Sequence, residues 1–170
     1  MIGLNYLGKM GQLGNQMFQY AALKGIAKNR GLEYTVPNHK EVLEDGLGNQ
    51  LRIELYDAFD IYPKNQGLLP TNEYVQEAYF HFDQDLYNEC PDNCSIVGYF
   101  QSEKYFAHIR EEIVRDFRVK KEYRDDCKSI LKQFDHPIAL HIRRGDFLIN
   151  SLNHYNLSMR YYKNALDCFD

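Results

Sequence analysis

The chain has 170 residues, of which 44% are hydrophobic and 26% are charged, and its net charge is −4. This composition is ordinary for one soluble globular domain and excludes an intrinsically disordered or collagen-like chain. The negative charge excludes a generally basic surface for nucleic acid, although a local basic pocket is still allowed. No apolar run approaches the roughly 20 residues that cross a bilayer, and the start of the chain is too brief and glycine-rich for a signal peptide. We therefore expect a cytoplasmic protein, with peripheral contact to a membrane surface left open.

The first part of the chain has the pattern of a strand, a glycine-rich loop, a helix and a second strand. In chain order these are a strand at 2–7, glycines at 8, 11 and 14, a helix at 15–30 and a strand at 33–36. Asn15 is a suitable N-cap for the helix, and Gly31 suits the left-handed residue that ends it. Two strands joined by a helix predict a parallel α/β sheet, because parallel strands need a crossover connection.

The rest of the chain continues this alternation less regularly. The patterns predict strands at 51–56, 74–82 and 95–100, a loop at 63–70 and helices at 103–117 and 123–134. The apolar run at 138–142 predicts a buried strand, and a last helix is predicted after its N-cap Ser158. A strand followed by a crossover helix needs a second parallel strand to pack on. None follows here, so we expect this last unit to be half of a β-α-β unit.

The clearest candidate for a binding or catalytic motif lies at the carboxyl end of the last predicted strand. It is the segment His141-Ile142-Arg143-Arg144-Gly145-Asp146. Ligands of open α/β sheets bind outside the carboxyl ends of the strands. The planar guanidinium group of arginine matches pairs of phosphate oxygens. Arg143 and Arg144 could therefore hold a diphosphate, with Asp146 orienting one guanidinium and His141 donating a further hydrogen bond. A surface turn with an arginine–aspartate ion pair is the simpler alternative.

The glycine-rich loop is the second candidate. Gly11, Gly14, Asn15 and Gln16 lie between the first strand and the first helix. Glycines allow a ligand to approach the backbone, and a helix N-terminus favours an anion. The amide side chains could bind sugar hydroxyls as well as phosphates. Because the spacing is neither GxGxxG nor that of a P-loop, a flexible turn with a helix cap also explains the segment.

The third candidate is Asp83-Gln84-Asp85, since paired carboxylates can hold a divalent cation against a nucleotide diphosphate. Such triplets are common by chance in acidic chains, and the histidines of this sequence show no metal-ligand spacing. We therefore expect no metal site, while a metal-dependent transferase that uses Asp83 and Asp85 stays as one alternative function.

Three strings of the sequence resemble motifs of one family, the α-1,2-fucosyltransferases (glycosyltransferase family 11). Residues 11–21, GQLGNQMFQYA, resemble the family's N-terminal signature, and residues 98–106, GYFQSEKYF, resemble its GYWQSEKYF segment. Residues 141–147, HIRRGDF, resemble its HxRRGDY motif, with Phe147 in place of the last tyrosine. The strings occur in the family's order and approximate spacing, so the resemblance covers most of the chain.

The resemblance implies a GT-B-like fold of two Rossmann-like halves. This chain would contain an N-terminal, acceptor-side domain at 1–135 and, at 136–170, an incomplete first β-α unit of the GDP-sugar-binding domain. The family's later motifs do not follow, and the chain has no Trp, so a truncated C-terminal donor domain is expected.

The implied reaction transfers L-fucose from GDP-β-L-fucose to the 2-hydroxyl of a terminal galactose of a glycan, with inversion and without a cofactor or metal. By position, the resemblance gives the catalytic role to His141, Arg143, Arg144 and Asp146. Donor contacts are expected from Arg143, Arg144, Gly11, Gly14, Asn15 and Gln16. Asp146 and His141 are candidates for the catalytic base by position. A non-catalytic glycan- or nucleotide-binding domain of the same fold is the other open function.

Overall fold

The computed structural model describes residues 1–38 and 40–169. The strands are β1 (Ile2–Gly3), β2 (Tyr34–Thr35), β3 (Leu43–Glu44), β4 (Gln50–Leu51), β5 (Tyr74–Gln76) and β6 (Ser95–Val97). The helices are α1 (Leu13–Arg30), α2 (Leu55–Ala58), α3 (Gln84–Glu89), α4 (Arg110–Asp116), α5 (Lys121–Leu131), α6 (Asp146–Ile149) and α7 (Met159–Leu166). Two 3₁₀ turns, Glu103–Tyr105 and Ala107–Ile109, precede α4. Within the described ranges, no helix is both long enough and apolar enough to cross a membrane.

Four strands form a sheet in the order β2-β1-β6-β5, and every pairing in it is parallel. The predicted parallel α/β sheet is therefore confirmed, with α1 as the crossover between β1 and β2. β3 and β4 form a separate antiparallel hairpin. Because the four strands run in one direction, the loops that follow β1, β5 and β6 meet at the same edge of the sheet.

Helix α1 is the central element of the core. Its side chains Leu23 and Ile26 are fully buried in the main hydrophobic cluster. A Cβ atom at Gly25 would lie 2.0 Å from the carbonyl oxygen of Tyr105, so the backbone of the first 3₁₀ turn packs directly on the helix. Gly31 ends the helix with φ 66°, as predicted.

Several predicted elements are replaced by others. α1 begins at Leu13, before the predicted N-cap Asn15, because the carboxylate of Glu54 accepts a hydrogen bond from the Leu13 amide at 2.6 Å. A side chain from a distant segment therefore supplies the cap that the local sequence assigned to Asn15. The strand predicted at 51–56 is instead β4 followed by α2, and the helix predicted at 103–117 is divided into the two 3₁₀ turns and α4.

The strand predicted at 138–142 is wrong. These residues adopt no regular structure, and all of them except Ile142 are exposed. A strand in a parallel sheet obtains its hydrogen bonds and its burial from neighbouring strands, and none of the described strands lies beside this segment. The apolar run was therefore not sufficient by itself to form a strand. The last predicted helix does form, as α7, although Ser158 makes no side-chain capping bond.

Candidate functional site

A cavity of about 990 Å³ opens at the edge of the sheet where β1, β5 and β6 end. Its walls are the loop after β1, the β3–β4 hairpin, Phe80, the segment after β6 with Tyr99 and Gln101, and the chain around α6. All three strings that carry the family resemblance contribute to these walls. Segments that are far apart in the sequence thus meet where ligands of α/β sheets bind.

The loop after β1 needs two of its glycines. Gly8 and Gly11 have φ angles of 83° and 79°, in the left-handed region. A Cβ atom at Gly8 would lie 2.9 Å from the backbone nitrogen of Ile53, and one at Gly11 would lie 2.2 Å from the side-chain nitrogen of Asn15. Gly14 has open space around it. At Gly8 and Gly11 the close approach is therefore one of the protein's own chain, while Gly11 and Gly14 both line the cavity.

Gln16 has a structural role. Its Oε1 accepts a hydrogen bond from the amide of Glu54 at 2.8 Å, and its Nε2 donates to the carbonyls of Arg52 at 2.7 Å and Gly11 at 3.3 Å. The side chain is fully buried and does not line the cavity. Gln16 therefore joins α1 to the segment before α2, in place of the predicted contact with the donor. One of the free backbone amides at the N-terminus of α1 is also already bonded, since the Leu13 amide donates to the carboxylate of Glu54.

Gln19 makes a second internal connection, which sequence reasoning missed. Its Nε2 donates to the carbonyls of Met10 at 3.1 Å and Gly98 at 3.0 Å, and so joins the loop after β1 to the end of β6. Gln16 and Gln19 are three residues apart, which places them on the same face of α1. Two glutamines at this spacing within an otherwise apolar helix face were the signal that could have revealed both connections.

Amide and aromatic side chains reach the cavity from the loops after the strands. Nε2 of Gln101 donates to Oδ1 of Asn15 at 2.9 Å. The rings of Phe80 and Tyr99 are stacked, with centroids 6.4 Å apart and planes 22° apart. Asn15 thus lies at the cavity, where a donor contact was expected of it. The sequence analysis did not predict the pairing of Phe80 with Tyr99, although the aromatic run at 79–82 was visible in the sequence.

Tyr99 and Gln101 flank a strained residue. Phe100 has φ 52°, a conformation that costs about 1–3 kcal/mol in a non-glycine residue. Its amide donates to Oε2 of Glu77 at 2.8 Å, while Oε1 of Glu77 accepts from the hydroxyl of Tyr105 at 2.9 Å. Glu77 is itself buried. The buried carboxylate therefore holds the turn that directs Tyr99 and Gln101 to the cavity.

The chain around α6 supplies an arginine to the cavity wall. Nη2 of Arg143 donates to both carboxylate oxygens of Asp146, at 2.9 and 3.0 Å, so the aspartate orients one guanidinium as predicted. The guanidinium carbon lies 4.5 Å from the centre of the Phe147 ring. The imidazole of His154 stacks on the same ring, with centroids 3.9 Å apart and planes 3° apart. An ion pair and an aromatic ring thus hold one guanidinium at the wall of the cavity.

The other two residues of the predicted catalytic set do not reach the cavity. His141 and Arg144 are exposed and lie outside its lining. The structure therefore brings Arg143 and Asp146 to the site and leaves their neighbours out. His154 lines the cavity but was missed, because it lies in a polar loop and belongs to no motif.

Asp83 also has a structural role. Its carboxylate accepts hydrogen bonds from the amides of Leu86 at 3.0 Å and Ala78 at 3.1 Å, and so caps α3. Asp85 is exposed. In the part of the chain that the structure describes, no group of three or more histidine, cysteine or acidic side chains is arranged to hold a metal ion. The alternative of a metal-dependent transferase needs Asp83 as a metal ligand, but its carboxylate is used for these two hydrogen bonds.

The family model of glycosyl transferase family 11 matches residues 1–170. The chain belongs to glycosyltransferase family 11. Among the relatives of this family 11 chain, the galactoside alpha-(1,2)-fucosyltransferase 2 of Bos taurus is 26% identical, over 98% of the chain and 49% of the relative. The enzyme of the same name from Sus scrofa is 27% identical, over 98% and 50%. The galactoside alpha-(1,2)-fucosyltransferase 1 of Sus scrofa is 27% identical, over 81% and 38%.

The chain spans about half the length of the two relatives that match 98% of it. No solved structure matches it. The resemblance inferred from the three strings is confirmed by the family match, and the parallel sheet fits a Rossmann-like glycosyltransferase.

Proposed function

We propose that this chain acts in the transfer of L-fucose from GDP-β-L-fucose to the 2-hydroxyl of a terminal galactose in a glycan. The observation that carries the proposal is Arg143, held by Asp146 and Phe147 at the wall of a cavity that also contains the family's glycine-rich loop. The names of the relatives support the sugar and the linkage. The proposal includes inversion at the transferred carbon and no requirement for a metal or other cofactor.

In this proposal Arg143 binds the diphosphate of the donor. When the bond between fucose and GDP breaks, negative charge grows on the leaving phosphate, and a fixed guanidinium group stabilises that charge. The ion pair with Asp146 engages Nη2. Because a guanidinium has five N–H donors, its remaining donors can face a phosphate while Asp146 keeps the group in place.

The acceptor hydroxyl must lose a proton as the new bond forms. Asp146 is engaged with Arg143, and His141 lies outside the cavity, so neither positional candidate is well placed. Two further carboxylates line the cavity, but Asp45 holds the turn of its own hairpin and Glu54 caps α1. We therefore propose that the imidazole of His154, which also lines the cavity, accepts this proton.

The architecture that we propose is GT-B-like. Residues 1–135 would form the acceptor-side Rossmann-like domain, and 136–170 would begin the domain that binds the GDP-sugar. The four-stranded parallel sheet supports the first part of this division, because its strands all lie before residue 98. We also propose that the protein is located in the cytoplasm.

Calorimetric titration with GDP tests the donor site. Arg143→Ala should weaken GDP binding by about tenfold or more, because a hydrogen bond to a charged group contributes about 1.5–3 kcal/mol. Arg144→Ala is the matched control, since it removes the same charge one residue away and outside the cavity. It should bind GDP like the wild type. Equal GDP affinity of the wild type and Arg143→Ala would remove Arg143 from the diphosphate role.

Transfer is tested with GDP-fucose and a β-galactoside acceptor, with and without excess chelator. Fucosylated product in the presence of chelator supports metal-free transfer, and product that disappears with chelator contradicts it. The second candidate function, a non-catalytic glycan- or nucleotide-binding domain, is favoured by the engagement of the cavity's carboxylates in internal contacts. It predicts binding of GDP or galactoside without product.

A further inference from the structure

Phe80 is an exposed aromatic side chain at the wall of the cavity. It follows β5, is 80% exposed, and is stacked on Tyr99 at the end of β6. Burial of a phenylalanine side chain stabilises a protein by about 1.5–3 kcal/mol, so its exposure forgoes a stabilising contribution. Single exposed apolar side chains are common. Phe80 differs from them because it shares a cavity with its aromatic partner.

Two buried carboxylates hold the segments that carry this pair. Glu77 bonds the amide of Phe100, next to Tyr99, at 2.8 Å. Asp83 accepts from the amide of Ala78 at 3.1 Å and so closes the bend that contains Phe80. Both carboxylates are at least nine-tenths buried. The two rings are therefore presented by fixed turns at the carboxyl edge of the sheet.

Amide side chains line the same cavity as the two rings. Gln101 bonds Asn15 at 2.9 Å, and Asn49 of the β3–β4 hairpin lines the same cavity. An aromatic face bordered by amide groups suits a pyranose ring, whose C–H face packs on the aromatic ring while its hydroxyls bond the amides. We propose that Phe80 and Tyr99 form the stacking platform for the galactose ring of the acceptor, an inference that rests on the proposed function.

A guanine base could also stack on these rings, but the surroundings favour the sugar. The N–H edge of guanine is matched best by a carboxylate. The carboxylates that line the cavity are engaged in other contacts, Asp45 in its own turn, Glu54 with the Leu13 amide and Asp146 with Arg143. The high exposure of Phe80 also suits a ring at the end of a longer glycan, which has to enter from solvent. The guanidinium group proposed to bind the diphosphate is supplied by a different segment, around α6.

Titration of the complete chain with methyl β-D-galactoside, followed by saturation-transfer NMR, tests this subsite. Saturation should be strongest on the protons of carbons 3, 4 and 5, which form the apolar face of galactose. Phe80→Ala should weaken the galactoside by about tenfold and leave GDP affinity unchanged, since a stacked aromatic contact contributes about 0.5–1.5 kcal/mol beyond its area. Phe80→Tyr should retain binding because it keeps the ring. Tyr62→Ala, at an 83% exposed aromatic outside the cavity, is the matched control.

Three results would overturn the inference. They are the absence of galactoside binding by the wild type, equal galactoside affinity of Phe80→Ala and the wild type, and a loss of GDP affinity in Phe80→Ala. The last would assign the rings to the guanine base. None of them affects the comparison of Arg143→Ala with Arg144→Ala, so a failure of this subsite and a failure of the donor site can be told apart.

Discussion

Replacement of Gln16 by leucine distinguishes a structural glutamine from a donor-binding one. Gln16→Leu keeps the size of the side chain but leaves the amide of Glu54 and the carbonyl of Arg52 without their partners, which lie at 2.8 and 2.7 Å. Each buried group left without a hydrogen bond costs about 1–3 kcal/mol, so the free energy of unfolding should fall by about 2–6 kcal/mol. A typical domain has only about 5–15 kcal/mol in total, so the loss should be large.

The assay is urea unfolding followed by circular dichroism, with a thermal melt beside it. For a chain of this length, the expected loss lowers the midpoint of the melt by about 10 °C. Gln12→Leu is the matched control, because Gln12 is exposed, lines the cavity and makes no side-chain capping bond to α1. It should unfold like the wild type. If Gln16→Leu were as stable as the wild type and bound GDP as weakly as Arg143→Ala, the structural role of Gln16 would be refuted.

The remaining predictions concern the packing of two glycines of α1, the buried carboxylate of Glu77 and the charge of Asp45. Gly25→Ala should destabilise the chain by about 1–3 kcal/mol, because the added carbon would overlap the carbonyl of Tyr105, whereas Gly14→Ala, with open space around it, should be neutral or stabilising in the same unfolding assay. Glu77→Gln places an amide where the Tyr105 hydroxyl donates, so the melting temperature and the proton shifts of the Tyr105 ring should both change. The side chain of Asn49 and the backbone amides of its turn hold the pKa of Asp45 below the ordinary value of an aspartate. The charged carboxylate therefore stabilises the hairpin above that ordinary value, and this stability is lost as the pH falls through the lowered pKa. An NMR acid titration should show the turn amides shifting in the wild type and little change in Asp45→Asn, and a titration midpoint of Asp45 at or above that of an ordinary aspartate would contradict this.

The parts of the fold that the sequence predicted are those with local causes. The crossover helix follows from a run of helical periodicity that ends at Gly31, which takes the left-handed conformation because it has no Cβ atom. The prediction of a strand at 138–142 was wrong, because an apolar run becomes a buried strand only where a neighbouring strand pairs with it. The start of α1 was misplaced by two residues because Glu54, far away in the sequence, supplies its cap.

For the candidate site, the motifs located Arg143 and Asp146, which are three residues apart and meet through one short turn. The aromatic run at 79–82 was visible in the sequence, but nothing in it indicated that Phe80 would stack on Tyr99 at the cavity. His154 also lines the cavity, and it lies in a polar loop outside the motifs.

By itself the sequence determined the parallel α/β class, the membership of glycosyltransferase family 11 and the arginine–aspartate pair, since these depend on periodicity, motif order and short spacing. The tertiary structure decided which members of the motifs face the cavity. Gln16 turned inward to satisfy the buried polar groups of Arg52 and Glu54, and Arg144 remained outside while Arg143 faced in. The physical reason is that every buried backbone donor and acceptor needs a partner, and which side chain provides it depends on segments that only folding brings together.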